Sequence, residues 1–161
     1  MKKKVLFISS TGGHLDELLQ LKELFEKYDY HIITEKTKDN LSLLDKYPGK
    51  VNFLVYGSYS RLLTKITYPF KLFYNTVKSL ILYIKIKPKY IISTGAHTSG
   101  PMLLIGHIFG SKIIYIETFA NSHTKTKTGR IVYQFADLFI VQWESMLELY
   151  PKATYGGWIF W

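Results

Sequence analysis

Short apolar runs alternate along this chain with longer stretches in which leucine and aromatic residues recur every three or four positions. Residues 5–9, 30–34, 51–56, 90–93, 112–116 and 138–142 are brief, evenly apolar and bounded by turn or polar residues, which predicts six buried strands. After the first, Leu15, Leu18, Leu19, Leu21, Leu24, Phe25 and Tyr28 predict a helix, with Asp16 and Glu17 in its first turn where negative charge suits the dipole. A polar connector runs through Asn40, and a Pro48-Gly49 turn precedes the third strand. A long helix is expected over 61–87, interrupted at Pro69. Shorter helices are expected over 101–109, with a proline at its start, 130–136 and 143–150. Strands alternating with helices predict an α/β, doubly wound, mostly parallel Rossmann-like sheet, in a single domain of residues 1–161.

Composition narrows the class. With 47% apolar and 20% charged residues in 161, the chain is long and apolar enough to bury a core. The absence of cysteine excludes disulfides and thiolate metal sites and fits a reducing compartment. Met1-Lys2-Lys3-Lys4 precedes an apolar run that stops at Ser9, too short for a signal peptide, so the segment is expected to be a first strand beginning at residue one. Residues 90–111 carry no charge before Lys112, but four glycines, a proline and several hydroxyl residues argue against a membrane span. The net charge of +9 is concentrated, with no acidic residue between Asp45 and Glu117. That asymmetry points to an anionic partner, and its plain alternative is a solvated basic face.

Two loops carry the candidate chemistry. Ser10-Thr11-Gly12-Gly13-His14 and Thr94-Gly95-Ala96-His97-Thr98-Ser99-Gly100-Pro101 each leave a strand and enter a helix. In that geometry backbone N–H groups converge on an oxygen-rich ligand. Thr11, Gly12, Gly13, Thr94, Gly95, His97, Thr98, Ser99 and Gly100 are the candidate phosphate- or substrate-binding residues, and His14 is the candidate base. Neither loop completes a dinucleotide fingerprint or a P-loop, and each could be a structural turn, with Ser99 capping the next helix. Glu117 follows the fifth strand at the ligand edge, and with Asn121 it is expected to complete a polar wall. His107 reads as a packed core residue. His97 and His123 lack metal-ligand spacing, so no metal and no cofactor are expected.

The helix expected over 61–87 carries Lys71, Lys78 and Lys85 at heptad spacing as one basic stripe with Asn75 between. Phe73, Tyr74, Ile81 and other apolar residues fill its remaining circumference. Lysines beside aromatics suit a helix lying on anionic lipid, and a buried helix with a solvated lysine edge is the alternative. Arginine is scarce and no base-reading motif occurs, so nucleic acid is not an expected partner. Trp158, Phe160 and Trp161 form an aromatic terminus suited to a protein partner.

These segments resemble a known family. Phe7-Ile8-Ser9-Ser10-Thr11-Gly12-Gly13-His14 is similar to the first glycine-rich loop of MurG-type GT-B glycosyltransferases. Residues 93–101 are similar to the second, and Ile116-Glu117-Thr118-Phe119-Ala120-Asn121 to the segment after the next strand. The stretches 129–143 and Tyr155-Gly156-Gly157 extend the similarity to bacterial PssD/CpsF-type proteins of capsule and exopolysaccharide synthesis, and to the membrane-recruiting subunit of the eukaryotic UDP-GlcNAc transferase. The resemblance implies the N-terminal half of an inverting GT-B enzyme. Its partner would be a separate catalytic subunit equivalent to the C-terminal half. The pair would share a UDP-sugar and a lipid-pyrophosphate-linked acceptor, in capsule, exopolysaccharide or lipid-linked oligosaccharide synthesis. The eukaryotic relatives carry an N-terminal membrane anchor; this chain is expected instead to be cytoplasmic and peripheral on the inner face of the membrane, held by 61–87. A catalytically inert adaptor and a self-sufficient nucleotide-binding enzyme are the alternatives.

Overall fold

The computed structural model describes residues 2–57 and 62–160. Its centre is a seven-stranded parallel sheet made of β1 (Lys4–Ser9), β2 (Asp29–Glu35), β3 (Val51–Leu54), β4 (Tyr90–Gly95), β5 (Lys112–Ile116), β6 (Leu138–Val141) and β7 (Thr154–Tyr155), in the order β3-β2-β1-β4-β5-β6-β7. The strand order reverses between β1 and β4, which pair from Val5 opposite Tyr90 to Ile8 opposite Ser93, after which the register shifts by one residue and Ser9 stands opposite Gly95.

Alternation along each strand sends residues to two cores. Leu6 and Ile8 of β1 pack with Ile91, Ile113 and Tyr115 on one face, while Val5 and Phe7 pack with Ile32, Ile92 and Ile116 on the other. Helices α1 (Gly13–Gln20), α2 (Glu23–Lys27) and α3 (Leu43–Lys46) cover the second face. Helices α4 (Leu62–Ile86), α5 (Gly100–Ile108), α6 (Lys127–Val132) and α7 (Met146–Leu149) cover the first.

Several elements differ from expectation. The first helix breaks after Gln20, where Leu21 N–H bonds back three residues to Leu18. The turn brings Phe25 of α2 against Phe7, Tyr30 and Tyr47. Pro69 does not interrupt α4. Its missing N–H removes one helical bond, and twenty-five helical residues absorb that loss. Helix α6 begins at Lys127, three residues before the expected start, because the Thr126 hydroxyl accepts a bond from Gly129 N–H at 2.9 Å and caps it. The short β7 adds to the six expected strands. Two side chains also move between environments. Asn75, expected on the basic stripe, is buried, with its amide paired to the N–H and C=O of Val55 at 2.9 Å each. His107, expected in the core, lies exposed with its ring 4.9 Å from that of Phe135.

Helix α4 is apolar around most of its girth. Asn75, Ser79, Leu82, Tyr83 and Ile86 face the sheet. On the far side Phe70 is 75% exposed, Phe73 72% and Ile81 60%, with Tyr74, Val77 and Ile84 between them. Lys71 and Lys78 are half-buried along one border of that face, Lys78 Nζ lying 5.8 Å from the Tyr74 ring, and Lys85 is exposed. Among the described residues no helix is long and apolar enough to cross a membrane.

Candidate functional site

Because β1 and β4 are neighbours at the reversal of strand order, the loops that follow them meet at the carboxyl edge of the sheet. Four bonds join them. Ser10 N–H donates to Gly95 O at 2.8 Å, Ala96 N–H to Ser10 Oγ at 3.1 Å, and Thr94 Oγ1 to His14 O at 2.6 Å. The fourth runs from His14 Nδ1 to Thr94 O at 2.8 Å. A carbonyl only accepts, so Nδ1 carries the proton in the neutral ring and Nε2 keeps its lone pair.

Glycine at 95 is required by this approach. Its φ is +98°, and a Cβ there would stand 3.0 Å from the Tyr115 hydroxyl and 3.3 Å from His14 Nδ1. Gly12, at φ +73°, turns the chain into α1 and accepts from Leu15 and Asp16 N–H. The N–H groups of Gly13 and His14 have no acceptor within the helix, and Gly12 and Gly13 are exposed.

Much of the expected polar inventory is turned inward. Thr94, Thr98 and Ser99 are buried. Ser99 Oγ donates to Ala96 O at 2.6 Å and does not cap α5. His97 Nε2 donates to Gly57 O at 2.7 Å. Glu117 is only 1% exposed, and its carboxylate accepts from Thr126 Oγ1 (2.9 Å), Tyr150 Oη (2.9 Å) and Thr118 N–H (3.2 Å). Burial pushes its pKa above the ordinary glutamate value against the pull of those donors. Asn121 Oδ1 accepts from the hydroxyl and N–H of Thr124, shaping its own loop. Thr11, Gly12, Gly13, His14, His97, Gly100 and Asn121 are the candidates with exposed or half-exposed positions at this edge.

Two further buried carboxylates went unrecognised in the sequence. Glu35, the last residue of β2, accepts from Thr11 N–H (3.0 Å), Gly57 N–H (3.1 Å) and Thr98 Oγ1 (2.6 Å), tying together the loops after β1, β3 and β4. Glu17 of α1 accepts from Thr118 Oγ1 (2.7 Å), Phe119 N–H (3.1 Å) and Gln142 Nε2 (3.1 Å). Burial raises the Glu17 pKa, opposed by the same three donors. Glu35 was legible as a charge closing an apolar strand at the ligand edge, the same signal that singled out Glu117. Glu17 was masked by its place in a first helical turn.

Gln142 extends the Glu17 network, its Oε1 accepting from Ile159 N–H at 2.8 Å. Above it the rings of Phe119, Trp143, Trp158 and Phe160 form a cluster with centroids 5.0 to 5.8 Å apart, and Trp158 and Phe160 remain exposed. Trp161 lies outside the described residues.

A parallel sheet whose order reverses between two stitched glycine loops defines a Rossmann-like domain with its ligand edge at those loops. The fold is that of the N-terminal domain of MurG-like GT-B glycosyltransferases. MurG of Acinetobacter baumannii superimposes with a TM-score of 0.66 at 17% identity, covering 86% of this chain and 41% of that one. The UDP-GlcNAc 2-epimerase of Methanocaldococcus jannaschii gives 0.70 at 12% identity, over 92% and 42%. The chain belongs to the family described as "Oligosaccharide biosynthesis protein Alg14 like", whose profile matches residues 5–159. It is 31% identical to the UDP-N-acetylglucosamine transferase subunit ALG14 of Kluyveromyces lactis over 98% of this chain and 79% of that protein. A Francisella tularensis protein, named as the UDP-N-acetylglucosamine–N-acetylmuramyl-(pentapeptide) pyrophosphoryl-undecaprenol N-acetylglucosamine transferase, is 29% identical over 89% of this chain. Only 38% of that enzyme's length is spanned.

Proposed function

We propose that this chain is the acceptor-side, membrane-docking subunit of a UDP-sugar transferase whose donor site lies mainly on a second protein. The observation that carries the reading is similarity along 98% of the chain to a protein named as a subunit of a UDP-N-acetylglucosamine transferase. The cluster of half-buried Phe119 with exposed Trp158 and Phe160, at the same sheet edge as the glycine loops, supplies a docking surface for that catalytic partner. The apolar outer face of α4, bordered by Lys71, Lys78 and Lys85 and including Phe73, Tyr74 and Ile81, supplies a peripheral attachment to anionic lipid. The chain then works as one domain on the cytoplasmic face of the membrane, building lipid-linked oligosaccharide or, in bacteria, capsule or exopolysaccharide.

Chemistry follows from the loops. The N–H groups of Gly12 and Gly13 and the start of α1 hold a diphosphate of acceptor or donor. His14 Nε2 takes the proton of the acceptor hydroxyl as that oxygen attacks the anomeric carbon of the UDP-sugar. The new C–O bond forms as the bond to UDP breaks, the diphosphate leaves with the electron pair, and the configuration inverts.

A second reading has one observation in its favour: Thr94, Thr98, Ser99 and Glu117 spend their polar atoms within the protein, as in an adaptor that shapes its partner's site without reacting. Assays of this chain, its partner and the pair on a lipid-linked acceptor separate the readings. Turnover is expected only from the pair, and His14→Ala is expected to slow it about 100-fold or more. A rate kept within about twofold gives His14 no proton to move and favours the adaptor. Full turnover by this chain alone defeats both.

A further inference from the structure

Beside the glycine-loop edge, three helices enclose a trough of about 490 Å³. Helix α5 forms its floor, with α4 on one side and α6 on the other. The trough borders the exposed apolar face of α4 on the side away from its lysines, where Leu72 lines the wall. Its two ends differ. Gly100 opens α5 and Lys127 opens α6 at the carboxyl edge of the sheet, next to the candidate site. Leu104, Ile108 and Phe135 lie further along, and Leu104 and Ile108 are exposed within the concavity although wholly apolar. Among the described lining residues Lys127 is the sole lysine, arginine or carboxylate.

A concave apolar channel with one cationic end matches an amphiphile that has an anionic head and a slim tail. From Gly100 to Ile108 the floor runs about 12 Å, at 1.5 Å per helical residue, the reach of a short isoprenoid segment. A bilayer surface cannot enter a trough walled by helices, and a peptide helix with side chains is about 10 Å wide and covers its rim. The relative from F. tularensis is named for an acceptor that is a polyprenol on a pyrophosphate, which combines these two features in one molecule.

We propose that the trough binds the head-proximal isoprene units of an isoprenoid diphosphate, the diphosphate lying beside Lys127 and the start of α5. The acceptor is thereby lifted from the membrane face of α4 and presented to His14. The proposal rests on the acceptor-side reading for the identity of the ligand, and on the asymmetry of the trough for its placement.

The test is calorimetric titration of the full chain with farnesyl diphosphate, farnesol and inorganic pyrophosphate, without transferase partner or membrane. Farnesyl diphosphate is expected to saturate below about 100 µM, with farnesol and pyrophosphate each at least about tenfold weaker. Leu104→Glu is expected to weaken farnesyl diphosphate at least about tenfold, and Lys127→Ala to remove most of its advantage over farnesol. Phe73→Ser on the outer face of α4 leaves this binding unchanged. Should Leu104→Glu lose its native circular dichroism, Ile108→Asp, at a more exposed position, replaces it. The proposal is overturned by no saturation up to about 1 mM, by equal affinity in the trough variants, or by a dimer of this chain that Leu104→Glu dissolves. No sugar transfer is read, so the two ideas fail separately. Saturable binding with an inactive reconstituted pair removes the transferase reading alone, and an active pair without binding removes the trough alone.

Discussion

Three buried carboxylates do much of the positioning at this sheet edge, each accepting from donors on different loops. A carboxylate offers about four lone-pair sites, so one side chain can tie several segments. Glu35 joins the loops after β1, β3 and β4, and Glu17 joins α1 to the loop after β5 and to Gln142 of the segment after β6. The cost is desolvation, visible in the raised pKa values of Glu17 and Glu117. For a carboxyl whose folded pKa is raised, the folded state binds more protons than the unfolded one. Its contribution to stability is therefore greatest below the unfolded value of 4.5 and falls as pH climbs through the raised value. Glu17→Gln removes that titration while keeping an acceptor. The difference in Tm between variant and wild type is expected to move steadily in the variant's favour as pH rises from 4.5. A difference independent of pH would show that burial does not raise the Glu17 pKa.

At the scale of elements, α5 is held to the sheet by a close contact that leaves little spare volume. Gly106 of α5 lies over Ile91 and Ile113. A Cβ at that position would come 2.2 Å from Ile91 Cδ1 and 3.2 Å from Ile113 Cδ1. Alanine normally favours a helix over glycine by about 1 kcal/mol. Here Gly106→Ala is expected instead to destabilise by about 1–3 kcal/mol, through overpacking against a fully buried side chain. Ile91→Val deletes the offending Cδ1, so the double variant is expected to recover most of that loss relative to Ile91→Val alone. Urea melts of the four proteins give the coupling, and additive effects would show that α5 shifts freely on the sheet.

At the scale of the molecule, charge and apolar surface are arranged together. The net charge of +9 includes Lys71, Lys78 and Lys85 along one border of the exposed α4 face. Phe70, Phe73 and Ile81 form the body of that face, a concentration of apolar surface that isolated soluble proteins rarely present. A lysine near an anionic surface contributes about 1 kcal/mol, so the triple Lys71→Gln, Lys78→Gln, Lys85→Gln variant is expected to bind phosphatidylserine vesicles about 10²-fold less tightly or worse. Binding of the wild type is expected to weaken with salt, and binding to neutral vesicles to be poor. Flotation of both proteins on both vesicle types measures this. Equal recovery of variant and wild type on anionic vesicles would mean that the stripe is only a solvated edge.

The alternation of strands and helices, the two glycine-histidine loops and the three lysines at heptad spacing were legible in the chain, because local periodicity records which face of an element is buried. The reversal of strand order that brings residues 10 and 95 together was legible only as a consequence of alternating elements, and the structure supplied the pairing. Helix α4 shows where periodicity stops: a helix apolar on nearly every side carries no record of which side meets the sheet, and the burial of Asn75 against Val55 decided it. The partners of the buried carboxylates were hidden for another reason. Glu35 finds Thr98 from 63 residues away, and Glu17 finds Gln142 from 125 residues away. By itself, then, the sequence determined the alternation of strands and helices and the place of the two glycine loops within it. Tertiary structure decided which polar groups were consumed in holding those loops, His14 Nδ1 among them, and which, such as His14 Nε2, were not, because partnership between distant side chains is set by packing and not by spacing.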